Sequence, residues 1–253
     1  MPLQLQVAAA SHFGAAAAEV LDALLAQQPG ARIGWPTGNT PLPLYAELRR
    51  RAASGPGRYA AMRAVMLDDY LDSPEAVGSH AWLRREVLDP LGVAEERLLR
   101  IPARAEGIEA ACAAFEQRLR GEGGCDLLYL GLGANGHIGF NEPGAAEDSR
   151  TRAVELGAAT AAANAAYWAG KYTPRRAVTM GIGTILEARR ICLLVRGPGK
   201  ATMLRKAVTG AVGPEVPASF LQHAARALVL ADEAAAMELP MAWRRAAESV
   251  VSW

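Results

Sequence analysis

Short, unbroken apolar runs that alternate with helical patterns constrain this chain more than any other feature. A helix pattern near residues 11–28 leads to the apolar run 31–35, then to a helix over 41–51 and the run 64–67. A helix near 79–88, a short run near 98–101, a helix through 110–119 and the run 125–132 continue the rhythm. Further runs lie at 177–180, 191–195 and 227–230, and helical patterns at 158–166 and 201–207. Successive side chains of a strand face opposite ways, so a run that is apolar at every position buries both faces of its pleat. Such strands pair in parallel and are covered by helices.

At 253 residues with 51% hydrophobic content, the chain can bury one substantial core. The reading is α/β: a single-domain, Rossmann-like fold over residues 1–253, with a mainly parallel sheet and helices on both faces. The glycine- and proline-containing stretches at 55–57, 121–124 and 197–199 are short and sit between periodic segments, so they read as turns and not as linkers.

Charge and cysteine usage exclude several classes. Twenty-seven basic against 26 acidic side chains give a formal net charge of +1, so no global field draws the chain to nucleic acid or to an anionic membrane, and any anion must be bound locally. The N-terminal stretch has neither the charged start nor the long apolar run of a secretion signal, and other apolar stretches fall short of the roughly 20 residues that span a bilayer. Cys112, Cys125 and Cys192 are widely spaced and odd in number, which suggests neither a disulfide framework nor a zinc knuckle, and a reducing cytoplasm is expected. His12, His80, His137 and His223 are scattered without metal-ligand spacing, so no metal and no other cofactor is expected.

In open α/β sheets ligands sit beyond the carboxyl ends of strands, and three polar segments follow strand-like runs there. The first is Pro36-Thr37-Gly38-Asn39-Thr40-Pro41, between a strand and a helix. Glycine, hydroxyls and free N–H groups at a helix start suit a phosphate, though a tight turn capped by Asn39 or Thr40 fits equally. The second is Asp68-Asp69-Tyr70. Two adjacent acids leaving the core can raise one carboxyl toward the range of a general base, or simply form a solvated acidic turn. The third runs Gly131-Leu132-Gly133-Ala134-Asn135-Gly136-His137-Ile138-Gly139-Phe140-Asn141-Glu142-Pro143. Here glycines permit an irregular path, a histidine is the side chain best suited to acid/base work near neutral pH, and Asn135 and Glu142 lie close enough to orient His137. The Gly131-Leu132-Gly133 element is a poor dinucleotide fingerprint, because it comes late and leads to a histidine instead of a helix.

Taken together, these segments resemble the glucosamine-6-phosphate deaminase family, within a wider group that includes 6-phosphogluconolactonases. The resemblance covers nearly the whole chain, with further markers in Ser149-Arg150-Thr151, Gly197-Pro198-Gly199-Lys200 and Pro217-Ala218-Ser219-Phe220-Leu221. It implies an amino-sugar phosphate substrate, with His137 assisting ring opening while Asn135 and Glu142 hold and tune the imidazole. Asp68 would move a proton from C2 to C1, with Asp69 in support, before the C2 imine is hydrolysed. Thr37, Gly38, Asn39, Thr40, Gly136 and Lys200 would bind substrate. The serine- and leucine-containing block that follows the Gly-His pair in lactonases is absent, which disfavours the lactonase and leaves a silent sugar-phosphate sensor as the other alternative.

Two departures stand out. Family members carry a phosphate-binding arginine in the helix after Ser-Arg-Thr, whereas residues 162–167 contain none, which makes Lys171, Arg175 and Arg176 candidates to replace it. Members regulated by an acetylated sugar phosphate carry basic and serine residues where this chain has Ala145, Ala146, Arg152 and Val154, so allostery of that kind is expected to be weak or absent. The sequence leaves open the sugar epimer and the choice between monomer and homo-oligomer.

Overall fold

The computed structural model describes residues 3–165 and 172–246. Its main sheet is built from β1 (Leu3–Ala8), β2 (Arg32–Trp35), β3 (Arg63–Met66), β5 (Leu98–Leu99), β6 (Leu127–Gly131), β9 (Ile191–Val195) and β10 (Ala227–Asp232). The strand order is β1-β10-β9-β6-β2-β3-β5, and every pairing is parallel. Strands β2, β9 and β10 are buried at every position, so both faces of the sheet are covered, as their continuous apolar runs predict. Connecting helices include α1 (Phe13–Gln27), α2 (Leu42–Ser54), α3 (Ser79–Leu83), α4 (Ile108–Gly121), α5 (Ala158–Ala165), α6 (Ile182–Leu186), α7 (Ala201–Thr209) and α8 (Met241–Ala246). None is long and apolar enough to cross a membrane among the described residues.

Three features depart from the sequence reading. Strand β1 was not anticipated: Gln4 and Gln6 break its apolar run, and among the described residues it is an edge strand paired with β10. The run 177–180 does not join the parallel sheet. Instead β8 (Arg176–Thr179) is the centre of a small antiparallel sheet between β4 (Asp68–Tyr70) and β7 (Arg152–Glu155). The acidic pair therefore lies in a strand and not in a solvated turn, with Asp68 in register with Thr179. Finally, the helix expected over 79–88 is split, because α3 passes into a π-helical turn over Arg84–Leu88.

Winding direction places the site. From β2 the chain builds outward to β3 and β5, then β6 returns to the other side of β2 and the sheet grows toward β9 and β10. The loops after β2 and β6 consequently diverge, leaving a crevice at the carboxyl ends of the strands. An aromatic ladder underlies it: Trp35 stacks on Tyr129 at 5.6 Å and meets Tyr45 of α2 at 5.7 Å, and Tyr45 meets Trp82 of α3 at 5.8 Å. Each such pair contributes about 0.5–1.5 kcal/mol beyond area burial, so β2, β6, α2 and α3 are held as one unit beneath the crevice.

Candidate active site

The crevice is a cavity of about 480 Å³ lined by the first loop (Pro36 to Thr40), Asp68, the third loop from Gly131 to Asn135 with His137, and Lys200. In the first loop Gly38 takes a left-handed conformation (φ 96°), and α2 begins with Pro41 and no side-chain cap. The capped-turn alternative thus fails: Asn39 and Thr40 do not cap α2 but face the cavity, beside the helix start. Lys200 ends the 3₁₀ turn Pro198–Lys200 before α7, and burial lowers its pKa.

Strand alternation sends the two acids to opposite sides. Asp68 is buried and faces the cavity, where burial first and the charge of Asp69 second raise its carboxyl to about 7. Asp69 faces away, into a second cavity, and its Oδ1 accepts the N–H groups of Ser79 (2.7 Å) and Tyr70 (2.8 Å). Burial raises its pKa, while those N–H groups oppose the rise. Asp69 does not line the active cavity; its charge bears on Asp68, and its carboxylate accepts the N–H at the start of α3.

The histidine loop is built by close approach. A Cβ on Gly133 would overlap the His137 ring, and Gly136 (φ 89°) packs on Met203 and Val216 while its carbonyl accepts the N–H of Ala218 at 2.9 Å. Gly136 lies between two residues that line the cavity, Asn135 and His137, and does not itself line it. Asn135 donates its amide to Glu142 Oε2, so its Oδ1 is turned to His137 Nδ1 at 2.8 Å. An amide oxygen only accepts, and Nδ1 therefore carries the proton, leaving the Nε2 lone pair available. Glu142 Oε2 lies 3.8 Å from Nδ1, behind the ring. The His137 ring, with Thr160 and the Asn135 amide, holds the Glu142 carboxyl well below the usual range, at about 2.

Asn141 secures this loop. It is fully buried, donates to the carbonyls of Ile138 (2.9 Å) and Met180 (2.8 Å), and accepts from Arg152 at 2.9 Å. Downstream, Thr151 N and Oγ1, Thr184 and Arg150 all donate to the buried Glu116 carboxylate of α4, which ties the Ser149-Arg150-Thr151 segment down.

Residues 5–230 match the family described as glucosamine-6-phosphate isomerases/6-phosphogluconolactonase. The chain belongs to this family. It is 43% identical over 231 residues to a glucosamine-6-phosphate deaminase of Streptomyces coelicolor, covering 89% of this chain and 88% of that one. A solved structure described as a monomeric glucosamine-6-phosphate deaminase has 32% identity and a TM-score of 0.87, covering 94% of this chain and all (100%) of that one. A 6-phosphogluconolactonase from Trypanosoma brucei, at 18% identity and a TM-score of 0.74 over 94% of this chain and 98% of its own, shares the fold.

Within this family member, two of the three candidates to replace the absent arginine, Arg175 and Arg176, do not line the cavity. Both are exposed, and Arg176 pairs with Glu155 at 3.3 Å; Lys171 lies outside the described residues. Sequence reasoning missed Ser79, Trp82 and Arg85, which line the cavity from α3 and its π-helical extension. Their spacing of three was the available signal, since residues three apart share a helix face.

Proposed function

We propose that this family member converts an amino-sugar 6-phosphate, glucosamine 6-phosphate in the first instance, to a ketose 6-phosphate and ammonia. The observation that carries the proposal is the pairing, in one cavity, of a buried carboxyl raised to about 7 with a histidine whose tautomer is set from behind. A lactone hydrolysis has no step that needs a base at carbon, whereas aldose–ketose isomerisation does.

The phosphate sits on the first loop and Lys200, placing the sugar between Asp68 and His137. His137 Nε2 takes the proton of the anomeric hydroxyl and returns one to the ring oxygen, opening the ring to the aldehyde. The ionised Glu142 behind the imidazole stabilises its transient positive charge, and Asn135 keeps it in place. Asp68 then removes the C2 proton, and its electron pair forms the enolamine. The proton is redelivered at C1 to leave an imine at C2. Water adds there and ammonia departs, giving the ketone. A base with a pKa near 7 is largely ionised at slightly alkaline pH yet strong enough to attack carbon. The three buried, unpaired cysteines suit a reducing cytoplasm.

The test is release of ammonia and ketose phosphate from glucosamine 6-phosphate and galactosamine 6-phosphate in parallel. Turnover of one epimer, lowered by about 10²-fold or more in His137→Gln, supports the reading and assigns the epimer. No ammonia from either sugar sinks it.

A further inference from the structure

We infer that Arg85 is a second cation on the substrate phosphate, acting with Lys200 across the cavity. This rests on the sugar-phosphate reading above and adds to it a residue from a part of the chain to which no phosphate role had been attached.

A phosphate ester carries about −1.5 to −2 charge at pH 7. The loop from Thr37 to Thr40 offers neutral donors, and Lys200 offers a single charge that burial already disfavours. Among the described residues lining the cavity, the only other lysine or arginine is Arg85. Charge balance therefore points to it.

Its placement is built. Ser79, Trp82 and Arg85 share one helix face, and all three line the cavity. Helical side chains lean toward the N-terminus, the direction in which Trp82 and Ser79 lie from Arg85. Trp82 packs on Tyr45 of α2, the helix that begins at the phosphate loop, so loop and arginine are carried by elements that cannot drift apart freely. One turn further along, Arg49 of α2 donates to the carbonyl of Glu86 (2.8 Å) and to its Oε2 (3.1 Å). The other carboxylate oxygen of Glu86 accepts Nε of Arg85 at 2.9 Å. With Nε held, the two terminal nitrogens form a fork that has no hydrogen-bond partner among the described residues, and such a fork matches two phosphate oxygens. The side chain is 61% exposed, so its removal spares the core.

The experiment uses the full chain with Arg85→Ala, Arg85→Lys and, for comparison, Lys200→Ala. The probes are glucosamine 6-phosphate for kinetics and inorganic phosphate for competitive inhibition and thermal shift. Arg85→Ala is expected to raise KM and the phosphate inhibition constant together by about 10- to 30-fold, with kcat within about twofold, because the lost contact is uniform binding. Arg85→Lys should recover part of the loss, and the melting temperature without phosphate should match wild type. Unchanged KM and unchanged phosphate stabilisation in Arg85→Ala, while Lys200→Ala loses both, would overturn the inference and leave Arg85 a solvated surface charge. The phosphate thermal shift does not require turnover. If wild type deaminates no sugar yet is stabilised by phosphate in an Arg85-dependent way, this inference stands and the deaminase reading falls.

Discussion

Asp68 carries the largest local cost in the proposed chemistry. Its carboxyl rises from 3.8 to about 7 on folding, so the native chain holds that proton more tightly than the unfolded one. The linked stability is fully present below pH 3.8, falls as pH rises, and is lost above about 7, where the carboxylate is charged and buried. Asp68→Asn keeps the shape without the charge. It should therefore abolish turnover and raise the melting temperature at pH 8 by roughly 2–8 °C, a gain that disappears near pH 4. Thermal melts of both proteins at the two pH values check this, and a variant less stable than wild type at pH 8 contradicts it. Asp69 adds to the same effect from the other side of the strand, its charge raising the Asp68 carboxyl further.

At the level of elements, the decisive contacts join loops to strands. Asn141 fastens the histidine loop to the residue after β8 and receives the Arg152 guanidinium, while the neighbouring Phe140 N–H reaches Thr179 of β8 itself. Asn141→Ala removes one hydrogen bond each from the carbonyls of Ile138 and Met180 and from Arg152, which keeps the Arg150 carbonyl, a cost of about 1–3 kcal/mol, and loosens the adjacent Glu142. Denaturant unfolding and kcat should fall together; a loss under about 0.5 kcal/mol would show that the loop is held elsewhere. The parallel strands were legible because buried strands write unbroken apolar runs, as Ile191–Val195 and Ala227–Asp232 do. Strand β1 was hidden by its glutamines; the run at 177–180 was legible as a strand, but its antiparallel pairing with the short β4, far away in sequence, and with the half-exposed β7 leaves no local period. The third loop was legible as chemistry because glycines and a histidine crowd together there. Arg85 was not, since a charged residue on a helix looks alike in sequence whether it faces water or a ligand.

Across the whole molecule, the reversal of winding between β2 and β6 assembles a site from segments near residues 40, 70, 135 and 200. The net charge of +1 supplies no long-range pull on an anion, so the proposed phosphate site relies on a loop, a helix start and two cations. Regulation follows from the same placement. Ala145, Ala146 and Val154 offer no charge to an anionic effector, and Arg152 is committed to Asn141 and to the carbonyl of Arg150. Rate curves should be hyperbolic and unmoved by N-acetylglucosamine 6-phosphate. A sigmoidal curve made hyperbolic by that compound would contradict this.

Asp68, poised by burial and by Asp69, is the proposed carbon base. The pH dependence of kcat/KM for ammonia release from glucosamine 6-phosphate, with Asp68→Asn measured alongside, tests it most directly. The account predicts a rate that climbs with pH through an acidic limb near 7 and a variant slower by about 10²- to 10⁴-fold at every pH. A variant that retains wild-type turnover, or a wild-type profile flat from pH 5 to 9, would show that another group takes the proton.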